Sequence, residues 1–172
     1  MFMRMLAGFA VGLFLVAAQP AIAQTAQGGD RVWNYADSDA AMNAAIAEGR
    51  TYLDPFLTMV REAGNRTEPF MVKVALDAIG GGREHIWVDN LRFDGAVLKG
   101  ELANAPNQLG ALRQGSTVTI DRDRISDWAI ITGDGMYGNF TTRVMLPQLD
   151  PTERAQIAAM LSRTPVPPSW RK

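Results

Sequence analysis

The chain of 172 residues contains no cysteine and a single histidine, His85. Without cysteine there can be no disulfide, no thiol nucleophile, no thiolate metal ligand and no lipid-bearing cysteine. One imidazole cannot supply the several His or Cys ligands that common transition-metal sites draw on, so neither a metal nor a cofactor is expected. A calcium loop is absent too. Asp121-Arg122-Asp123-Arg124 sets arginines where such a loop needs oxygens and a glycine, and reads as a solvated turn. Charge of one sign is lacking as well: 17 basic residues face 18 acidic ones. No basic block occurs of the kind that tracks phosphates, which excludes nucleic acid as an expected partner.

Long apolar runs are scarce. The one that stands out, Leu6 to Ala18, has 13 residues and follows Arg4, short of the roughly 20 that a spanning helix needs. Pro20 breaks it, and Ala21-Ile22-Ala23 offers the small residues a signal peptidase reads. Residues 1–23 therefore read as a cleavable export signal. The expected destination is periplasmic or secreted, without stable membrane insertion after cleavage. Removing 23 of 172 residues leaves 149, enough for one core without staples.

Residues 24–36 read as a flexible lead-in and 37–163 as a single domain. In the latter, Met42, Ala45, Ile46, Gly49, Leu53, Phe56, Leu57 and Val60 recur at helical steps. Pro55 predicts a break near Tyr52–Asp54, with Asp54 capping a second helix. Beyond Gly64 the period becomes alternating. Strands are predicted at Phe70–Leu76, Glu84–Phe93, Val97–Leu102 and Thr117–Ile120, with a last pair at Trp128–Thr132 and Phe140–Leu146. A loop at 104–115 carries one helical turn near Leu109–Arg113. Asp150 and Pro151 open a closing helix through Leu161. Residues 164–172, with three prolines, read as a Pro-rich tail that is not compact in itself, with Trp170 a lone aromatic whose docking the sequence leaves open. The order argues an α+β fold: an N-terminal helix pair on an antiparallel β-meander of five to six strands, then a C-terminal helix.

Several blocks carry a family resemblance. They are Asp39 to Ile46, Leu53 to Leu57, Glu84-His85-Ile86-Trp87-Val88, Leu102 to Pro106, Gly115 to Val118, Ile125-Ser126-Asp127-Trp128 and Gly138 to Val144. In this order the chain resembles the YegJ-like family of bacterial proteins, a domain of unknown function often found behind an export signal. The resemblance covers roughly residues 31–146. It implies one exported domain and no mechanism.

No catalytic, metal or nucleotide motif stands out, so candidate chemistry rests on few residues. Any imidazole chemistry must use His85, whose strand neighbour Glu84 points to the opposite face. A carboxylate partner must come from another strand, Asp127 or Glu101. Ser116 and Ser126 lie outside a Gly-x-Ser-x-Gly elbow. Trp33, Trp87 and Trp128 could line a groove, because tryptophan joins a large contact area to a polar handle. The expected function is binding of an envelope protein or small ligand through His85, Trp87, Asp127 and Trp128, with no enzymatic activity as the leading expectation. The alternative is a cofactor-free hydrolase with His85 as base and a carboxylate, Asp127, orienting it.

Overall fold

A computed structural model describes residues 39–64, 66 and 69–171. The export signal, the lead-in and Trp33 lie outside the described residues. The described elements are four α-helices and a six-stranded antiparallel sheet, an α+β architecture with helices at both ends of the chain.

Helix α1 (Ala40–Thr51) starts where Asp39 accepts a hydrogen bond from the Met42 amide at 2.9 Å, satisfying one of the donors a helix start leaves over. Its buried side is Met42, Ala45 and Gly49. Helix α2 (Leu53–Ala63) follows after one residue, Tyr52, and buries Leu53, Phe56 and Val60. The break falls where Pro55 requires it, but α2 begins at Leu53, so Asp54 sits in its first turn rather than at its cap. Proline is tolerated there because first-turn amides have no partner to lose.

Strands β1 (Phe70–Asp77), β2 (Arg83–Asp94), β3 (Val97–Leu102), β4 (Thr117–Ile120), β5 (Ile125–Thr132) and β6 (Gly135–Gly138) lie in the order β4-β3-β2-β1-β5-β6. Alternation assigns the faces. Val72, Val74, Ile86, Val88 and Trp128 are buried in one core with α1 and α2, while Lys73, His85, Trp87 and Asp127 occupy the other face.

The sheet is strongly bent. In a flat sheet of this order, Ile120 and Ile125 would be about 19 Å apart across the strands alone. The five chain steps between them reach at most about 18 Å and include a 3-10 turn at Arg122–Arg124. The bend lies in β2, where pairing with β3 skips between Asp89 and Arg92 and Asn90 adopts φ 46°. Asparagine is one of the few side chains that accept this left-handed conformation. Opposite the bend, a Cβ on Gly100 would lie 2.6 Å from Val88 Cγ1 and 2.7 Å from Asp89 O, so only glycine lets the strands close there. The folded-over β3–β4 half meets α2, where Arg122 pairs with Asp54 at 2.6 Å.

Two expectations are corrected, and the open question of the tail is answered. Phe140–Leu146 is not a strand: Phe140–Met145 forms α3, and β6 is the short Gly135–Gly138. Asn139, at φ 56°, turns the chain, and Phe140 packs on the core against Trp128 with ring centroids 5.5 Å apart. Residues 104–115 form bends and turns without a helix; Glu84, 3% exposed, takes the amides of Asn107 and Gln108 at 2.8 and 2.7 Å. The tail does pack. Pro165 O accepts from the Gly138 amide, Val166 is 7% exposed within the core, and the Trp170 ring lies 5.4 Å from Trp128 and 6.4 Å from Tyr52. Prolines prevent a helix or strand, but an extended segment can still dock its side chains. Helix α4 (Pro151–Met160), capped by Asp150 as expected, buries none of its residues.

Candidate functional site

The polar face of the sheet gathers residues from β1, β2, β5 and α3. Register sets Lys73 opposite both Trp87 and Asp127, and Ala75 opposite His85, so these side chains share one face. A bulge adds to this. After Lys73–Asp127 the next pair is Val74–Ile125, which leaves Ser126 as the extra residue of β5. Ser126 and Asp127 are consequently both engaged beneath the same surface.

Asp127, 1% exposed, spends its carboxylate on structure. One oxygen accepts from the amides of Trp128 and Phe140 at 2.8 and 3.1 Å; the other accepts from the Thr141 amide at 2.8 Å and its hydroxyl at 2.6 Å. Asn139 gives α3 no side-chain cap, so Asp127 serves that helix start from across the sheet, where negative charge is favoured. Burial pushes the Asp127 carboxyl above its usual range, opposed by Lys73 and by its hydrogen bonds.

Lys73 completes a relay. Its ammonium donates to Thr141 Oγ1 at 2.9 Å and stands 4.9 Å from the centroid of the Trp87 ring, a cation–π contact. Burial pushes the amine below its usual range, and Asp127 opposes the shift. Arg143, on α3, is lowered by burial and likewise drawn to Asp127. Its guanidinium holds the carbonyls of Gly138 and Ser162 at 3.0 Å each, tying β6 to the tail.

His85 is exposed and places Nδ1 2.9 Å from Ser126 Oγ. The Ser126 hydroxyl donates to Lys73 O at 3.2 Å. Of the four residues expected to form a binding face, His85, Trp87 and Asp127 come together. Trp128 does not. It is fully buried on the helix side, with its indole N–H donating to Gly49 O at 2.9 Å. Glu101, the other carboxylate considered for His85, lies beside Asn90 and Arg92. Lys73, Thr141 and Arg143 were missed. Lys73 was open to discovery, since its alternation with Val72 and Val74 already set it on the His85 face.

Away from this face, a concavity of about 520 Å³ opens between α2 and the folded-over hairpin. Its wall includes Arg61, whose guanidinium stacks 3.7 Å from the Phe93 centroid. Among the described residues no cluster of three His, Cys, Asp or Glu could hold a metal, and no helix is long and apolar enough to cross a membrane.

Comparison with known proteins places this site in a family. The chain is 28% identical over 123 residues to the uncharacterized protein YegJ of Escherichia coli strain K12, covering 72% of this chain and 78% of that one. It is 38% identical over 73 residues to a protein of Neisseria meningitidis serogroup B that is named as an ankyrin repeat protein. That match covers 42% of this chain, and the chain spans only 29% of that relative's length. No solved structure matches. A family described as an uncharacterized protein conserved in bacteria, DUF2314, matches residues 39–161, closing helix included. The chain belongs to this bacterial family, and the likeness to YegJ lies within it.

Proposed function

We propose that the protein is an exported binding domain whose His85–Trp87 face meets a protein partner at the cell envelope. The observation that carries this reading is the commitment of Asp127. All of its acceptor capacity goes to three amides and the Thr141 hydroxyl, so it does not orient His85 as a hydrolase would require. Ser126, the hydroxyl beside His85, is 2% exposed and donates to backbone, whereas a nucleophile must reach its substrate. What remains accessible is an exposed imidazole beside a half-buried indole, the aromatic-plus-polar pairing that anchors protein interfaces. The relative named as an ankyrin repeat protein supports a protein as the occupant, since that repeat class is built around binding surfaces. The export signal read in residues 1–23 supports the location.

The test is site-specific photocrosslinking in cells. A photoreactive residue replaces His85, with exposed Arg154 on α4 as the control position. The expected result is one recurrent protein adduct at position 85, absent at 154, on a chain whose N-terminus is Gln24. Equal adduct patterns at the two positions, or none at 85, overturn the reading.

A further inference from the structure

The chain has 14 arginines and only three lysines, Lys73, Lys99 and Lys172. Arginine cannot be deprotonated in a protein, whereas a buried lysine can give up its proton. The polar face therefore holds, at its centre, a primary amine that can become a nucleophile.

Its surroundings suit that use. Thr141 Oγ1 is the one hydrogen-bond acceptor for the three Lys73 N–H groups among the described residues. The counter-charge, Asp127, is reached only through that hydroxyl: Nζ to Oγ1 is 2.9 Å and Oγ1 to the Asp127 oxygen 2.6 Å. The Trp87 ring covers one side, and the residue is half-buried rather than sealed. Three of the sequence blocks that carry the family likeness, those containing Trp87, Asp127 and Thr141, converge on this amine.

We infer that Lys73 is a carbonyl-reactive amine that captures a small aldehyde as an imine, with Thr141 and Asp127 as its proton relay. The ammonium first gives a proton through the Thr141 hydroxyl to the Asp127 carboxylate. The freed lone pair attacks the carbonyl carbon, forming the C–N bond as the C=O pair moves to oxygen. Asp127 returns its proton through the Thr141 hydroxyl to that oxygen. A second proton passes from nitrogen to the hydroxyl, the C–O bond breaks, and water leaves as C=N forms. Aldehyde and amine thus give imine and water, with no oxidant or reductant. Lys73 bonds to the substrate, the Thr141 hydroxyl hands it protons, and Asp127 is a positioning residue that acts through Thr141. The inference does not rest on a protein partner at His85, because its readout is covalent chemistry at one nitrogen.

The experiment uses the intact wild-type protein, propanal as probe and cyanoborohydride to trap imines, with site-resolved mass spectrometry. Lys99 is the internal control: it is also half-buried but is paired with Asp94 at 2.8 Å. At pH 7 Lys73 should label roughly tenfold faster than Lys99, since burial lowers its amine and the Asp94 ion pair occupies Lys99. The pH at which Lys73 labelling reaches half its maximum should lie below the ordinary lysine range. It should move further downward in Thr141→Val, which removes the ammonium's hydrogen-bond acceptor, and be restored in Thr141→Ser. Equal labelling rates, or modification of Lys99 with Lys73 untouched, overturn the inference.

Discussion

Replacing Asp127 with asparagine separates a structural acid from a functional one. In Asp127→Asn the retained oxygen can still accept from the Trp128 and Phe140 amides. The new NH2 then faces the Thr141 amide, which was 2.8 Å from the lost oxygen, and leaves it without an acceptor. A buried amide stranded in this way costs about 1–3 kcal/mol. Lys73 also loses its counter-charge. Removing one member of a fully buried pair costs about 3–5 kcal/mol, and the low end of that range applies here because Lys73 is half-buried and couples through Thr141. The two losses overlap, so the expected total is about 3 kcal/mol, a fall in Tm of about 6–12 °C for a chain of this size. Urea unfolding followed by far-ultraviolet circular dichroism should show a lower midpoint with an unchanged slope. A double-mutant cycle with Thr141→Val should give a coupling of about 1–2 kcal/mol. A shift below about 0.5 kcal/mol would refute the capping argument and return Asp127 to the list of ligand-binding groups.

Four further outcomes are expected. Gly100→Ala, whose Cβ would meet Val88 Cγ1 at 2.6 Å, should destabilise by about 2 kcal/mol or more in urea, whereas Gly133→Ala, with nothing within 4 Å, should stay within about 0.5 kcal/mol. Trp170→Ala should cost about 2–3 kcal/mol, roughly half the gross burial energy of a tryptophan; an unchanged midpoint would mean that the tail does not hold the core. Glu84→Gln leaves one of the Asn107 and Gln108 amides without its acceptor, so their hydrogen exchange should speed up roughly tenfold relative to core amides. Arg124 holds the Asp77 carboxyl below the usual range through a hydrogen bond and its charge. With its folded-state pKa below the unfolded one, this pair contributes stability above about pH 4 that is lost as pH falls through the folded value; in Arg124→Gln the carboxyl carbon resonance should titrate at a higher pH.

Much of the fold was legible because burial imposes a period. Val72, Val74, Ile86 and Val88 alternate with Lys73, Ala75, His85 and Trp87, and the structure keeps that split across the two faces. Asp39 and Asp150 announced their helices through their own side chains, since a cap acts within three residues. Phe140–Leu146 misled for the opposite reason. Its apolar residues fit a strand or a short helix, and the choice was made by Asp127, 13 residues earlier in sequence, which takes the Phe140 amide. The docking of the tail was not legible, because proline excludes regular structure but not docking, and nothing local shows that Trp170 finds Tyr52 and Trp128.

The candidate site divides in the same way. Alternation alone put His85 and Trp87 on one face and could have added Lys73 to it. Trp128 shows the limit: adjacent to Asp127 in sequence, it points into the core because neighbouring strand residues face opposite ways. By itself the sequence determined what depends on composition and short-range period: the absence of thiols and of several imidazoles, the helix pair, and the alternating strands. Tertiary structure alone decided the bend at Asn90, the path from β4 to β5, the docking of the tail, and the meeting of Lys73, Asp127 and Thr141. These depend on contacts between residues tens of positions apart, and such contacts leave no periodic trace in the chain.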